Sequence, residues 1–223
     1  MEKSSSKLQS VVLFDIDYTL FDSSLFRERL YGNISRAVKQ DRKQIERIGK
    51  VIYDQIRKKY GYFNPNDFIK GLKRRMGGNV DQALIEQSIW DKNSFRASIY
   101  KEVDEVLSSL GGSMLVGVFS KGHDRFQRAK LKAITHFLQK KHIHIVVDKY
   151  ASLPELIKKY KKHKLYLVDD ELEVLHSASK LRRDIFTIWV KRGRYATKQK
   201  PIPAFIPDAT VTNLKKITKI MNS

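Results

Sequence analysis

The sequence has no cysteine among its 223 residues. That excludes disulfides, thiolate metal sites and thiol nucleophiles, and it suits a reducing compartment. Acidic residues are scarce: 24 Asp and Glu stand against 44 Lys and Arg, for a formal net charge of +20. Such a field concentrates anions, whether phosphorylated metabolites, nucleotides, nucleic acid or an acidic membrane face, and it identifies none of them. The excess is spread along the chain, so a general bias toward lysine accounts for it as readily as an electrostatic function does. No apolar run approaches the ~18 residues that span a bilayer. The polar opening MEKSSSKLQS, and the early break of the next apolar run by Asp15, argue against a signal peptide. A soluble cytoplasmic protein without membrane association is the expectation. With 41% hydrophobic and 30% charged residues interleaved throughout, the chain is globular and of a size for one domain with an insertion.

Five apolar segments rich in β-branched or aromatic residues predict strands over 11–15, 114–120, 143–147, 165–169 and 185–190. Among the last four, apolar spacing predicts helices over 124–141, 153–163 with Pro154 in its first turn, and 171–182. Near-continuous apolar strands alternating with helices imply a Rossmann-like, doubly wound parallel α/β sheet with right-handed crossovers. The interval between the first two strands is too long for one crossover. Residues 23–92 carry amphipathic segments at 25–40, 42–61, 64–77 and 79–92, with Asn66, Asp67 and Asn79 as predicted N-caps and Gly61 and Gly77 as stops. A helical cap is therefore expected over 23–92, inserted into a core made of 1–22 and 93–223. A helix over 100–112 returns the chain to the core, the basic stretch 191–207 predicts a surface loop or arm, and 208–217 a short closing element.

In sheets of this kind ligands bind beyond the carboxyl ends of the strands, where the winding reverses. Collected strand by strand, those ends supply Asp15 and Asp17, then Ser120 with Lys121 and Gly122, then Lys149, then Asp169 and Asp170. Singly, each has a plain structural use. Asp-x-Asp or Asp-Asp caps a turn or a helix, Ser120 is a common cap residue, and Lys149 is one lysine among many, with Lys158 as a substitute. Their convergence on one crevice points instead to phosphoryl transfer. A carboxylate can attack phosphorus and split hydrolysis into two displacements, which makes Asp15 the candidate nucleophile. Crowded carboxylates facing a phosphate dianion need a hard cation such as Mg²⁺, for which Asp15, Asp169 and Asp170 are the candidate ligands. Asp17 suits the acid/base, its pKa expected to be raised by like charge nearby. Ser120, the backbone N–H groups of residues 120–122 and Lys149 suit a phosphate cradle. His123, His142, His144 and His163 show no spacing that makes a site. Arg27 and Arg29 stand where they could reach a second anionic group, the aromatic stretch 60–66 is read as packing in preference to lining a substrate pocket in the cap, and Asp22 as the hinge into the cap.

These motifs, FDIDYTLFD (14–22), VGVFSKG (116–122), the lysine of DKYASLPELI (148–157) and YLVDDE (166–171), resemble those of haloacid-dehalogenase-type hydrolases. The match covers the core and looks like the phosphatase branch with a helical C1-type cap (subfamily I), which includes nucleotidases. Within that family an aspartate two residues after the nucleophile implies phosphatase or phosphomutase activity, whereas dehalogenases and phosphonatases carry other residues there. The resemblance implies that Asp15 is nucleophile and metal ligand, and that Asp17 is acid/base with its backbone carbonyl on the metal. Thr19 would steady the loop beside the phosphate site, Ser120 and Lys149 would bind the phosphoryl group, and Asp170 with Asp169 would complete the Mg²⁺ site. The fourth motif departs from the pattern, because its two aspartates are adjacent and are followed by Glu171 and Glu173. The expected partner is a small phosphorylated metabolite or nucleotide bound by a monomer or weak dimer. A basic nucleic-acid-binding protein or polynucleotide phosphatase on the same scaffold is the alternative, less favoured because a capped crevice suits small substrates.

Overall fold

Six short apolar runs lie side by side in the computed structural model, which describes residues 9–77, 80–196 and 198–222. They are β1 (Ser10–Phe14), β2 (Leu115–Lys121), β3 (Ile143–Val146), β4 (Lys164–Asp169), β5 (Phe186–Val190) and β6 (Ala209–Val211). Every pairing is parallel, in the order β3-β2-β1-β4-β5-β6. The chain steps outward from β1 to β3, then returns to lay β4 against the free side of β1, so the winding reverses between β1 and β4. Register sets Phe14 beside both Val118 and Val168, which brings the carboxyl ends of three strands level. The doubly wound sheet read from the sequence is the one found, and the closing element supplies β6.

Helices α1 (Ser23–Val38), α2 (Arg42–Tyr60), α3 (Pro65–Arg75), α4 (Gln82–Ile89) and α5 (Lys92–Ala97) fall between β1 and β2. After them come α6 (Val103–Gly111), α7 (Asp124–Leu131), α8 (Lys149–Lys159), α9 (Leu172–Leu181), the single turn α10 (Gly193–Ala196) and α11 (Lys215–Asn222). Alternate strand residues serve two cores. Val12 and Phe14 join an apolar cluster with Leu107 of α6, Phe126 of α7 and Ile217 of α11, while Val11 and Leu13 join another with Leu153 of α8 and Leu175 of α9. Each such side chain contributes about 1.5–3 kcal/mol on burial, which is why both faces of the sheet must be covered. The first cluster continues into the α1–α5 bundle through aromatic contacts: the Phe126 ring lies 5.0 Å from that of Phe63 and 5.6 Å from that of Phe95. Among the described residues no helix is long and apolar enough to cross a membrane.

Much of the scarce acid is spent on helix starts. Asp22, Asp41, Asp81, Asp91 and Asp148 cap α1, α2, α4, α5 and α8 by accepting backbone N–H bonds, each worth about 1 kcal/mol. Asp22 is thus an N-cap and not only a hinge. The cap of α3 is Asn64, not Asn66 or Asp67, because Asn64 Oδ1 accepts from both of their N–H groups and Pro65 then fits the first helical position. The predicted cap Asn79 lies outside the described residues. Gly61 ends α2 in the left-handed region, φ 74°. Two helix expectations need correction. The stretch 124–141 is helical only to Leu131, where Thr135 Oγ1 takes the Leu131 carbonyl and two 3₁₀ turns lead to β3; Ile134 and Leu138 keep the helical spacing and are still buried. The helix predicted to open at 153 opens at Lys149, so Pro154 sits inside it and has no N–H for the Tyr150 carbonyl.

The two linkers of the insertion run side by side. The Asp22 N–H donates to the Ser98 carbonyl at 2.7 Å and the Tyr100 N–H to the Leu20 carbonyl at 3.1 Å, with Phe21 bridging antiparallel to Ile99.

Candidate active site

The last residue of β1, Phe14, hands the chain to Asp15, whose N–H donates to the Val168 carbonyl of β4 at 2.8 Å. This contact sets the Asp15 carboxylate at the reversal point. Lys149, the first residue of α8, places Nζ 2.6 Å from Asp15 Oδ1 and 2.6 Å from Asp169 Oδ2. Asp15, Asp169 and Asp170 each offer a carboxylate oxygen within 4.8 Å of the others, and all three side chains are buried. One ammonium thus serves a three-carboxylate cluster. Burial raises the Asp15 and Asp170 carboxyls above the ordinary range and pushes Asp169 up to about 7, while the neighbouring carboxylates hold Lys149 protonated, its pKa raised. Asp170 has no ion-pair partner among the described residues. Ionising an unpaired buried carboxyl is costly, and three carboxylate oxygens this close together fit a hard divalent ion.

Asp17 has a different environment. Both of its oxygens take Lys130 Nζ, at 2.7 and 2.8 Å, Gln127 Nε2 donates at 2.9 Å, and the Ser23 hydroxyl adds a further bond. Burial by itself would raise this carboxyl, but Lys130 and the other donors outweigh it and hold the pKa below the ordinary carboxylate range. The raised value expected for Asp17 is therefore overturned, because the nearest charge is a cation. Lys130 and Gln127 escaped the sequence reading, although a signal was present: both fall on the apolar stripe Phe126, Leu131, Ile134 of the helix after β2, where an amide and a lysine need a buried partner.

Ser120, at the end of β2, hydrogen-bonds Asp15 and accepts from Gln127 Nε2 at 3.0 Å. Lys121 lines the cavity, its Nζ beside Gly61 at the end of α2, so it touches the insertion. Gly122 also lines it, but its N–H is engaged by the Val146 carbonyl at 2.8 Å and so is not a free donor for a phosphate. A Cβ on Gly122 would come within 2.8 Å of Gln127, so the close approach of that amide requires glycine. Thr19 is fully buried away from the cavity lining, and its role is through the loop, its carbonyl accepting from Arg192.

The cavity, about 160 Å³, is walled on the sheet side by Asp15, Asp17, Lys149 and Asp170 and on the helical side by Arg27, Tyr53, Arg57 and Tyr62. A smaller apolar chamber of about 70 Å³ opens behind Asp17 and Arg27, between Phe26, Phe63 and Phe126. The Arg27 guanidinium lies 5.0 Å from the centre of the Tyr53 ring and faces the cavity, whereas Arg29 is exposed outside it. Of the aromatic stretch 60–66, Phe63 packs on Phe68 and Phe126, and Tyr62 lines the cavity. His142 and His144 both bond the Tyr160 hydroxyl at 2.7 Å, remote from the carboxylates.

No protein-family model and no curated protein matches the sequence. Solved structures do. A haloacid dehalogenase-like hydrolase from Burkholderia xenovorans LB400 superposes with a TM-score of 0.78 at 21% identity, over 96% of this chain and 99% of that one. The HAD-hydrolase YfnB from Bacillus subtilis, bound to magnesium, gives 0.64 at 15% identity over 97% and 100%. The L-2-haloacid dehalogenase from Xanthobacter autotrophicus gives 0.63 at 13% identity over 96% and 99%. Likeness over nearly the whole of each chain, with the parallel sheet in Rossmann order and helices inserted after β1, gives this chain the fold of the haloacid dehalogenase-like hydrolases.

Proposed function

We propose that the chain is a hydrolase that cleaves small phosphomonoesters, metabolites or nucleotides, through an aspartyl phosphate on Asp15. The observation that carries this reading is the buried cluster of Asp15, Asp169 and Asp170 around Lys149, with Asp17 alongside at the same strand end. In the first step an Asp15 oxygen attacks phosphorus and the ester P–O bond breaks, the departing oxygen taking a proton from Asp17. In the second, water attacks the same phosphorus, gives its proton to Asp17 and releases Asp15. The lowered pKa keeps Asp17 ionised, the form that can accept a proton in the second step, but makes it a weaker base and acid, so both steps require the Lys130 contact to loosen. Asp15 and Asp170, supported by Asp169 and the Asp17 carbonyl, would hold the divalent ion, Mg²⁺ by the hardness of its all-oxygen donors. When bound, that ion supplies charge neutralisation at the phosphoryl oxygens. Ser120, Lys121 and Lys149 would bind those oxygens, and the helical wall would shed bulk water.

Several structural neighbours are L-2-haloacid dehalogenases, which favours a second reading, displacement of halide from a 2-haloacid by Asp15. Carboxylate attack on a carbon–halogen bond uses Asp15 but involves no phosphate dianion, so it gives no reason for a cation site that also recruits Asp169 and Asp170, or for an acid at Asp17. A third, a phosphomutase, differs only in passing the group to another hydroxyl in place of water. A screen of sugar phosphates, nucleotides and phosphorylated acids, with Mg²⁺ or chelator and Asp15→Asn as blank, separates them. The expected result is Mg²⁺-dependent release of inorganic phosphate, lost by at least about a thousandfold in Asp15→Asn. Halide release from 2-haloacids without any phosphate release would sink the proposal.

A further inference from the structure

Arg192 follows β5 and takes no part in the lining of the cavity, yet it is one of the most heavily bonded side chains described. Its Nε donates to the Tyr18 carbonyl at 3.2 Å and its Nη2 to the Thr19 carbonyl at 2.6 Å, both on the loop that carries Asp15 and Asp17. Its Nη1 donates to Glu102 Oε1 at 2.6 Å, and the guanidinium carbon lies over the Tyr100 ring, 3.8 Å from its centre. Tyr100 and Glu102 belong to the other linker, on the way back from the helical insertion. We propose that Arg192 is a positioning residue that staples both linkers of the insertion, and with them the Asp17 loop, to the end of β5.

Three observations support the assignment. First, the loop needs holding: buried Tyr18 sits in the left-handed region at φ 59°, an uncommon and unfavourable conformation for a bulky residue. The next residue after the staple, Gly193, closes on the same tyrosine, because a Cβ there would lie 2.4 Å from Tyr18 Cδ1. Second, the linkers meet each other through the Asp22 to Ser98 and Tyr100 to Leu20 backbone bonds and the Phe21 to Ile99 bridge, and Phe21 folds back on the Asp17 loop through its bonds with Ile16 and Tyr18, so linkers and loop form one unit that the Arg192 side chain joins to the end of β5. Third, the chemistry demands arginine. One planar group meets three acceptors on two segments and stacks on a ring, which a lysine ammonium cannot do. The Glu102 carboxylate is nearly buried; burial would raise its pKa, and Arg192, helped by backbone N–H groups of Glu102 and Leu214, outweighs this and holds it charged. A charge pair sunk this far is costly to break, and it has been placed where the two linkers meet the sheet.

The test reads amide hydrogen exchange in the full chain, residue by residue, and needs no substrate, so it stands whatever reaction Asp15 performs. In Arg192→Ala the amides of Tyr18, Asp22 and Tyr100 should exchange on the order of 10- to 100-fold faster, the loss of charged hydrogen bonds, while those inside β1 and β4 keep their protection. Arg192→Lys should show the same linker loss, and millimolar guanidinium, but not ammonium, should restore protection in Arg192→Ala. Unchanged linker exchange overturns the proposal. So does acceleration spread evenly over sheet and linkers, and so does failure of guanidinium to rescue. Should Arg192→Ala not fold, Arg192→Lys and Glu102→Gln decide the matter by the same comparison.

Discussion

Lys130 shows how one side chain can set the state of a candidate catalytic group. Nearly buried between the Phe21 and Phe126 rings, it has Asp17 as its anionic partner. Replacing it with methionine keeps the volume and strands the carboxylate, so Lys130→Met should destabilise the fold by about 1.5–3 kcal/mol in urea unfolding, the worth of hydrogen bonds to a charged group. The Asp17 carboxyl should then titrate higher, since burial is opposed only by the Ser23 and Gln127 bonds once the Lys130 charge is gone; carboxyl carbon NMR reads this directly. Adding Asp17→Asn to Lys130→Met should return most of the lost stability, because no unpaired charge remains. A double variant no better than the single would show that Lys130 acts by packing alone. The pairing was not legible beforehand, because the two residues are far apart in the chain and charge complementarity at a distance has no periodicity. Asp15, Asp17, Ser120, Lys149 and Asp170 were legible for the opposite reason, since each ends or follows an apolar run.

At the level of elements, the strands could be read to within a residue or so because Val, Ile and Phe runs buried on both faces leave little freedom. Helix limits were set by less visible things. The end of α7 depends on a threonine hydroxyl competing for a carbonyl, and the start of α8 on Asp148, whose capping role places Lys149 at the first helical position, facing Asp15. Helix α1 poses the functional question at this scale. It begins on the Asp22 cap, contributes Ser23 to Asp17, and one turn later turns Arg27 into the cavity opposite Asp170. Among the described residues Arg27 has no carboxylate partner, and its guanidinium is oriented by the Tyr53 ring. Substrates bearing a second anionic group beyond the phosphoryl group should therefore lose about 10- to 100-fold in kcat/KM on Arg27→Ala, mostly through KM, while simple alkyl phosphates lose little. Equal losses for both kinds of ester would remove Arg27 from substrate recognition.

For the whole molecule, the question is why a chain of net charge +20 gathers three acids at its centre. The general excess of lysine does nothing for them, since only Lys149 lies within bonding distance of the cluster among the described residues. Without an ion, burial keeps these carboxyls protonated to higher pH than in the unfolded chain, Asp169 to about 7. Between about pH 4 and about pH 7 the folded state then holds protons that the unfolded state has released, so this cluster's contribution to stability falls as pH rises. A divalent ion binds the deprotonated form, so its stabilisation should grow over the same range. At about 100 times its Kd, Mg²⁺ would add about 2.7 kcal/mol, or roughly 5–10 °C in Tm for a chain of this size. Paired melts with Mg²⁺ or chelator should show that shift near pH 8 and little of it near pH 5. Taking the difference matters, because His142 and His144, which burial pushes down to about 4, oppose the carboxyls by losing stability as pH falls from about 6.5 to about 4. That histidine contribution is common to both melts and cancels. Asp170→Asn should abolish the Mg²⁺ shift at both pH values while leaving the metal-free fold no less stable, since it removes a buried carboxylate that has no partner until the ion arrives. A shift that is the same at both pH values, or that survives in Asp170→Asn, would place the ion elsewhere than among these three carboxylates.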